Sequence, residues 1–331
     1  MRIHILLFML IATGILSSCW VKYPNGEFPK SPQALPAVNS EFDDYNSDLR
    51  IIFHEMFITF SSNRESRGRE FDLYTPLFVF SWDQEEGVFG VSEIKDGNYM
   101  DAKMTKEWFS STKTEFDELG PYSFDTGQKE AGLFFSRNTN GKFSIHYKNH
   151  WTGTASLEGE NPIRLLDGNS NEMYPSFLDP NYLRKDWDRV LNPEKLIFTS
   201  DKDGRFDLYE VDLPTKNVVS FLTQKELKQA KKISISSSSN DHASFVYGNV
   251  LVFASDRAGG LGGYDLYYSV YSNGNWSTPQ NFGPTINSPQ DEFRPILSDH
   301  PQFKNRLMIF SSNRPGGMGG FDLYYVGIPK F

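Results

Sequence analysis

The chain holds a single cysteine, Cys19, in 331 residues. One thiol excludes a disulfide framework and a cysteine-built metal site. Basic charge is also short: 33 Lys and Arg stand against 42 Asp and Glu, a net of −9. A polyanion binder shows the opposite balance, which argues against nucleic acid as a partner. The six histidines make no HExxH or other ligand spacing, so no metal or cofactor is expected. No apolar run reaches the roughly 20 residues that span a bilayer as a helix. Charged residues are only 23%, whereas Phe, Tyr and Trp together make 15%. That is too much apolar bulk and too little charge for a disordered chain. Aromatics favour strands, which points to an aromatic-cored β-fold.

The longest apolar run, from Ile3 to Leu16, is broken only by His4, Thr13 and Gly14 and follows Arg2. It has the size and flanks of a secretory signal segment. It ends in Leu16-Ser17-Ser18-Cys19, which resembles the lipobox of bacterial lipoproteins, in which the cysteine is lipidated and becomes the new N-terminus. Residues 1–18 therefore read as a lipoprotein signal peptide, 19–27 as a lipidated tether and 28–331 as one folded domain. Loss of 1–18 removes one Arg and no acid, moving the net charge to −10. Trp20 follows the cysteine and no acidic run comes after it, which reads as an outer-membrane anchor facing the periplasm.

An internal repeat dominates the rest. Phe60-Ser61-Ser62-Asn63-Arg64 leads to Phe71-Asp72-Leu73-Tyr74. Phe198-Thr199-Ser200-Asp201-Lys202 leads to Phe206-Asp207-Leu208-Tyr209. Phe253-Ala254-Ser255-Asp256-Arg257 leads to Tyr264-Asp265-Leu266-Tyr267, and Phe310-Ser311-Ser312-Asn313-Arg314 to Phe321-Asp322-Leu323-Tyr324. Phe134-Phe135-Ser136-Arg137-Asn138, leading to Phe143-Ser144-Ile145-His146-Tyr147, is a weaker copy. Upstream, an acid precedes a short apolar segment at Glu118, Glu172, Asp241 and Glu292. The turns Gly259 to Gly263 and Gly316 to Gly320 are near duplicates. A strand follows each, which excludes a phosphate cradle, since that needs a helix there. Four strands per unit in an antiparallel meander is the composition of a propeller blade. The first-strand Phe positions lie 74, 64, 55 and 57 residues apart. The sequence thus predicts an all-β fold, a single propeller of five blades with four antiparallel strands each. Six is the alternative if residues 78–94 form a stunted blade.

The last copy ends at Tyr324-Tyr325-Val326 without a fourth strand. Residues 31–40, Ser31 to Ser40, match 278–288, Thr278 to Ser288, with one gap. The N-terminal segment would therefore supply the outer strand of the last blade, closing the ring and removing an open edge.

The phrase at 310–324 is similar to the TolB-like, or WD-repeat-like, propeller repeat. The resemblance covers the mature chain, is specific in the last two copies and weak in the second. It implies a protein-binding propeller of the bacterial cell envelope and carries no enzymatic activity. The chain departs from larger relatives in leaving no room for an OmpA-like peptidoglycan-binding domain or a helical-repeat domain.

Candidate site residues fall in three groups. Arg64/Asp72, Arg257/Asp265 and Arg314/Asp322 share a spacing of eight, and Lys202/Asp207 is shorter. These read as structural pairs pinning each hairpin, with a ring of arginines gripping an anion as the alternative. The acids Glu118, Glu172, Asp241 and Glu292 are poor catalytic candidates, because chemistry needs an asymmetric cluster. Asp83, Glu85, Glu86, Asp186 and Asp188 lie outside the repeat but are not paired by spacing. Asp201 to Asp207 resembles a fragment of a Ca²⁺ loop but lacks the distal Glu. The insertion 181–189, with Tyr182, Arg184, Trp187 and Arg189, interrupts blade three between its first two strands and mixes the residues enriched at interface hot spots. Residues 225–232 read as a short surface helix. Together these describe a membrane-anchored, non-catalytic binding or assembly scaffold whose partners are envelope proteins. The rivals are a carbohydrate- or peptide-active enzyme and a glycan- or small-molecule-binding lipoprotein, each using the central funnel.

Overall fold

The computed structural model describes residues 25–49, 58–76, 78–83, 85, 88–93, 108–127, 130–149, 161–182, 190–300 and 302–331. Among the described residues, twenty-two strands account for nearly all of the regular structure. Blade V is closed by β1 (Gln33–Ala34). Blade I holds β2 (Asp44–Leu49), β3 (Ile58–Ser62) and β4 (Asp72–Tyr74). The hairpin β5 (Phe78–Asp83) and β6 (Val88–Glu93) forms a two-stranded sheet of its own. Blade II is β7 (Glu118–Asp125), β8 (Ala131–Thr139), β9 (Lys142–Asn149) and β10 (Asn161–Pro162). Blade III is β11 (Glu172–Leu178), β12 (Lys195–Ser200), β13 (Asp207–Asp212) and β14 (Lys231–Lys232). Blade IV is β15 (Asp241–Tyr247), β16 (Val250–Ser255) and β17 (Asp265–Ser272), edged by β18 (Asn275–Trp276) and β19 (Gln280–Asn281). Blade V is β20 (Glu292–Ser298), β21 (Arg306–Ser312), β22 (Asp322–Ile328) and β1. The innermost strands pack in the order β2, β7, β11, β15, β20, and β20 returns to β2. Five blades therefore form the ring, and residues 78–93 add no sixth. Blade I shows three strands among the described residues, not four.

The predicted closure is present. β1 pairs antiparallel with β22, Gln33 opposite Tyr325 and Ala34 opposite Tyr324. β19 makes the same pairing in blade IV, Gln280 opposite Tyr268 and Asn281 opposite Tyr267. The 31–40 and 278–288 segments also share a clasp. Asn39 exchanges two hydrogen bonds with the backbone of Leu323, at 2.9 and 3.0 Å, and Asn287 does so with Leu266, at 2.8 and 3.1 Å.

Residues 225–232 are not helical. A short helix lies upstream at Val218–Leu222, where Val218, Val219 and Leu222 bury an apolar face. Lys231 and Lys232 pair with β13 instead. The charged 225–232 stretch has no apolar face to bury, and Leu227 is exposed, whereas the edge of blade III gains backbone hydrogen bonds from a strand.

Each innermost strand carries a β-bulge two residues after its leading acid. The bulged residue is left-handed in all five: Asn46 at φ 57°, Gly120 at 59°, Tyr174 at 55°, Ala243 at 51° and Arg294 at 44°. From these positions Asn46, Tyr174 and Arg294 reach across to other blades. Tyr174 lies against Gly120, where a Cβ would collide with its ring, so glycine is required in blade II.

Candidate functional site

The propeller axis is filled. Arg294 of blade V is fully buried, donates to the carbonyls of Ser244 in blade IV and Pro121 in blade II, and stacks over the rings of Tyr174 and Phe245, 5.2 and 5.6 Å away. Asn46 of blade I donates to the Tyr174 hydroxyl at 3.2 Å. Side chains from non-adjacent blades thus touch each other across the centre. Burial and the neighbouring Arg294 hold His242 down to about 3, keeping its imidazole neutral, and burial lowers Arg294 itself to about 10.

Around this plug run the five acids that begin the innermost strands. All are buried: Asp44, Glu118, Asp241 and Glu292 completely, and Glu172 to within 3%. In four blades a guanidinium pairs with the carboxylate. Arg64 reaches Asp44 at 2.5 Å, Arg137 reaches Glu118 at 2.8 Å, Arg257 reaches Asp241 at 2.5 Å and Arg314 reaches Glu292 at 2.9 Å. Each also donates to the carbonyl six residues before its acid, Val38, Thr112, Ile235 and Ile286. Arg64, Arg257 and Arg314 add an Nε–H bond to Ser62, Ser255 and Ser312 at 3.0 to 3.1 Å. Aromatic rings cover the guanidinium, Phe60 and Tyr74 in blade I, and Phe310 and Tyr324 in blade V.

This corrects the expected pairing of Arg64 with Asp72, Arg257 with Asp265 and Arg314 with Asp322. Register is the reason: Asp44 lies directly opposite Ser62, and the arginine follows two residues later. The Asp of Asp-Leu-Tyr does pin its own hairpin, but through backbone. Asp265 accepts from the N–H groups of Leu261 and Gly262, and Asp322 from those of Met318 and Gly319. Asp207 meets Lys232 and Arg205 instead of Lys202. In blade II the arginine is present one position early. Arg137 occupies the register place of Ser62, and Phe135, not Phe134, that of Phe60. Comparing the upstream acids with the downstream arginines as a set, instead of within one hairpin, would have revealed this.

A further repeated element was not foreseen. The residue before each acid is Asp or Asn, and the residue after each facing Ser (after Arg137 in blade II) is the complementary Asn or Asp. Asp43 receives a hydrogen bond from Asn63, Asp117 from Asn138 and Asp291 from Asn313, while Asn171 gives one to Asp201 and Asn240 one to Asp256. The same side chain accepts an N–H from the neighbouring blade, as Asp43 does from Phe321 and Asp117 from Phe71. It is a blade-to-blade clasp.

Tyr182 packs edge-on against Tyr247, 5.6 Å between rings. Arg184, Trp187 and Arg189 lie outside the described residues, as does Cys19. Among the described residues no group of acids, His or Cys has metal-ligand geometry, and no helix is long and apolar enough to cross a membrane.

Blade III departs from the other four. Glu172 accepts the backbone N–H groups of Leu166 at 3.0 Å and Leu165 at 3.3 Å, and no side-chain cation among the described residues bonds it. A cavity of about 480 Å³ opens beside it. Burial pushes its carboxyl up to about 7, against the pull of those two N–H groups; Asp167 adds to the rise and Lys202 opposes it. The folded state therefore holds a proton that the unfolded chain has released. That stability is present at pH 5 and is lost as the pH rises through 7. Relative to Glu172→Gln, the wild type should gain about 2 to 3 kcal/mol between pH 8 and pH 5. Urea midpoints of both proteins at the two pH values measure this, and parallel profiles would refute it.

No protein-family profile and no curated protein sequence matches the chain. Solved structures do. A glycoside hydrolase-like protein from Parabacteroides distasonis aligns with a TM-score of 0.50 at 11% identity, covering 95% of each chain. TolB from Acinetobacter baumannii aligns at 0.34 and 14%, covering 82% of this chain and 51% of its own. TolB from Agrobacterium tumefaciens aligns at 0.37 and 14%, covering 83% and 71%. The chain is a five-bladed propeller with TolB proteins among its structural neighbours. It spans about half the length of the Acinetobacter protein, and at these identities what is shared is the fold.

Proposed function

We propose that the chain is a lipid-anchored propeller of the bacterial cell envelope that acts as a non-catalytic protein-binding or assembly scaffold. The observation that carries this is the filled axis. Arg294 and Tyr174 occupy the place where a funnel enzyme would seat its substrate. The repeated acids around them are buried and bonded to arginine or backbone. A glycosidase needs two carboxylates flanking an open cleft, roughly 5 to 9 Å apart, whereas four of the five repeated acids are each closed off by an arginine. The likeness to hydrolase propellers is one of fold. The lipobox-like Leu16-Ser17-Ser18-Cys19 supports the anchor, and the outer membrane with the body facing the periplasm is the location it favours. Two acyl chains make such an anchor effectively stable.

Wild-type protein should fractionate with membranes and be released only by detergent, and Cys19→Ser should move it to the soluble fraction. If Cys19→Ser stays membrane-bound, the anchor reading fails. Affinity capture from detergent-solubilised envelopes tests the scaffold: a partner should be recovered with the full chain and lost when residues 181–189 are deleted.

A further inference from the structure

We infer that the cavity beside Glu172 receives a guanidinium group supplied from outside the chain. Four blades show what this slot is built to hold. In each, a guanidinium bridges the leading acid and the carbonyl six residues before it. Blade III keeps the acceptors and, among the described residues, lacks the donor. The matching carbonyl is that of Leu166, and Leu166 and Glu172 both line the cavity. Ser200 stands in the place of Ser62, Ser255 and Ser312, and Phe198 and Tyr209 pair as the flanking rings, 5.7 Å apart.

Two sequence changes open the space. Arginine is replaced by Lys202, although the backbone there is unaltered. The Lys202 N–H bonds Ser200 Oγ at 3.3 Å, as the Arg64 N–H bonds Ser62 Oγ at 3.3 Å. The Lys202 side chain is exposed and makes no ion pair among the described residues. The second change is four residues before the acid. There Ser40, Thr114 and Ser288 hydroxyls donate to their carboxylates, whereas blade III has Gly168. A Cβ at Gly168 would meet no atom within 4 Å. What results is a buried carboxylate, open to one side and without an ion pair among the described residues. Lys142 and Arg164 stand on the rim with Asp167, so the entering group must engage Glu172 directly to be held. A planar fork meets that need better than an ammonium, since it can bond the carboxylate and the Leu166 carbonyl at once.

The proposal rests on the scaffold reading for its expected source, an arginine side chain of a partner protein, and on the cavity alone for its chemistry. Calorimetric titration of the detergent-solubilised full chain at low salt tests it. The probes are the capped peptide Gly-Arg-Gly, its citrulline counterpart and free L-arginine. Citrulline keeps the shape and removes the charge. The arginine peptide should bind at least about tenfold more tightly than the citrulline peptide, the scale of one charge-assisted bond. Binding should vanish in Glu172→Gln. It should vanish equally in Lys202→Arg, whose own guanidinium fills the slot and whose folding the other blades vouch for. Equal binding of citrulline, unchanged affinity in Lys202→Arg, or no binding of the arginine peptide would overturn the inference. Free arginine binding as tightly as the peptide would keep the guanidinium chemistry and move its source to a small molecule. Arginine-peptide binding without any captured envelope partner would remove the scaffold reading and leave the site standing.

Discussion

Deletion of residues 28–39, with 1–27 left in place, is expected to lower the melting temperature by about 15 °C or more. The segment closes the ring. Leu35, Val38 and Phe28 are each no more than 4% exposed, and burying three such side chains contributes roughly 5 to 8 kcal/mol. Phe28 stacks on Phe303 at 4.0 Å, and its backbone exchanges hydrogen bonds with Asn305 at 2.8 and 2.9 Å. Asn39 satisfies both backbone groups of Leu323. Val38 supplies the carbonyl that Arg64 holds at 2.6 Å, so blade I loses part of its clasp as well. The sum is comparable with the whole stability of an ordinary domain. The deletion also exposes the edge of β22, which invites pairing between molecules. Thermal melts by near-ultraviolet circular dichroism measure the effect. A synthetic peptide spanning 28–39 should restore part of the lost stability when added in trans. An unchanged melting temperature would show that the ring does not depend on this closure.

Arg257→Met is expected to cost about 3 to 5 kcal/mol, because it leaves Asp241 charged and buried without its partner. The pair is close, 2.5 Å between Arg257 Nη2 and Asp241 Oδ1, and Ser255 Oγ bridges the two. Asp241 is fully buried, so water cannot take over. Introducing Asp241→Asn on the Arg257→Met background should recover stability, giving a coupling of about 1.5 kcal/mol or more. The cycle with Asp265→Asn should give a coupling below about 0.5 kcal/mol, since Asp265 bonds its own hairpin and Asn281. Chemical denaturation of the six proteins decides between the two pairings. A larger coupling to Asp265 would restore the eight-residue pair inferred from spacing.

The two cycles mark where sequence reading reached and where it stopped. Five copies of one phrase, with intervals too short for an additional blade, made five blades legible, and the 31–40 match made the closure legible down to the equivalence of Asn39 and Asn287. The arginines were found and their partners were missed. Arg64 is eight residues from Asp72 along the chain, but strand register brings it to Asp44, twenty residues back. Blade II misled for the same reason. Counted from Phe134, its Asn138 falls where the others have arginine, yet register puts Asn138 in the place of Asn63 and Arg137 reaches the same two acceptors.

What the sequence by itself determined is whatever repeats along the chain: the aromatic hairpins, the blade count, the end that meets the beginning, and the lone cysteine after an apolar run. A hairpin is local, so its signature stays within about fifteen residues of sequence. The tertiary structure alone decided how charge is balanced and where space remains. Neutralising a buried carboxylate requires only that some cation of sufficient reach arrive, from any position, and chain spacing does not record reach. The bulged positions from which Arg294 and Tyr174 reach across have no common residue type, being Asn, Gly, Tyr, Ala and Arg. The unfilled slot at Glu172 becomes visible only against the four that are filled.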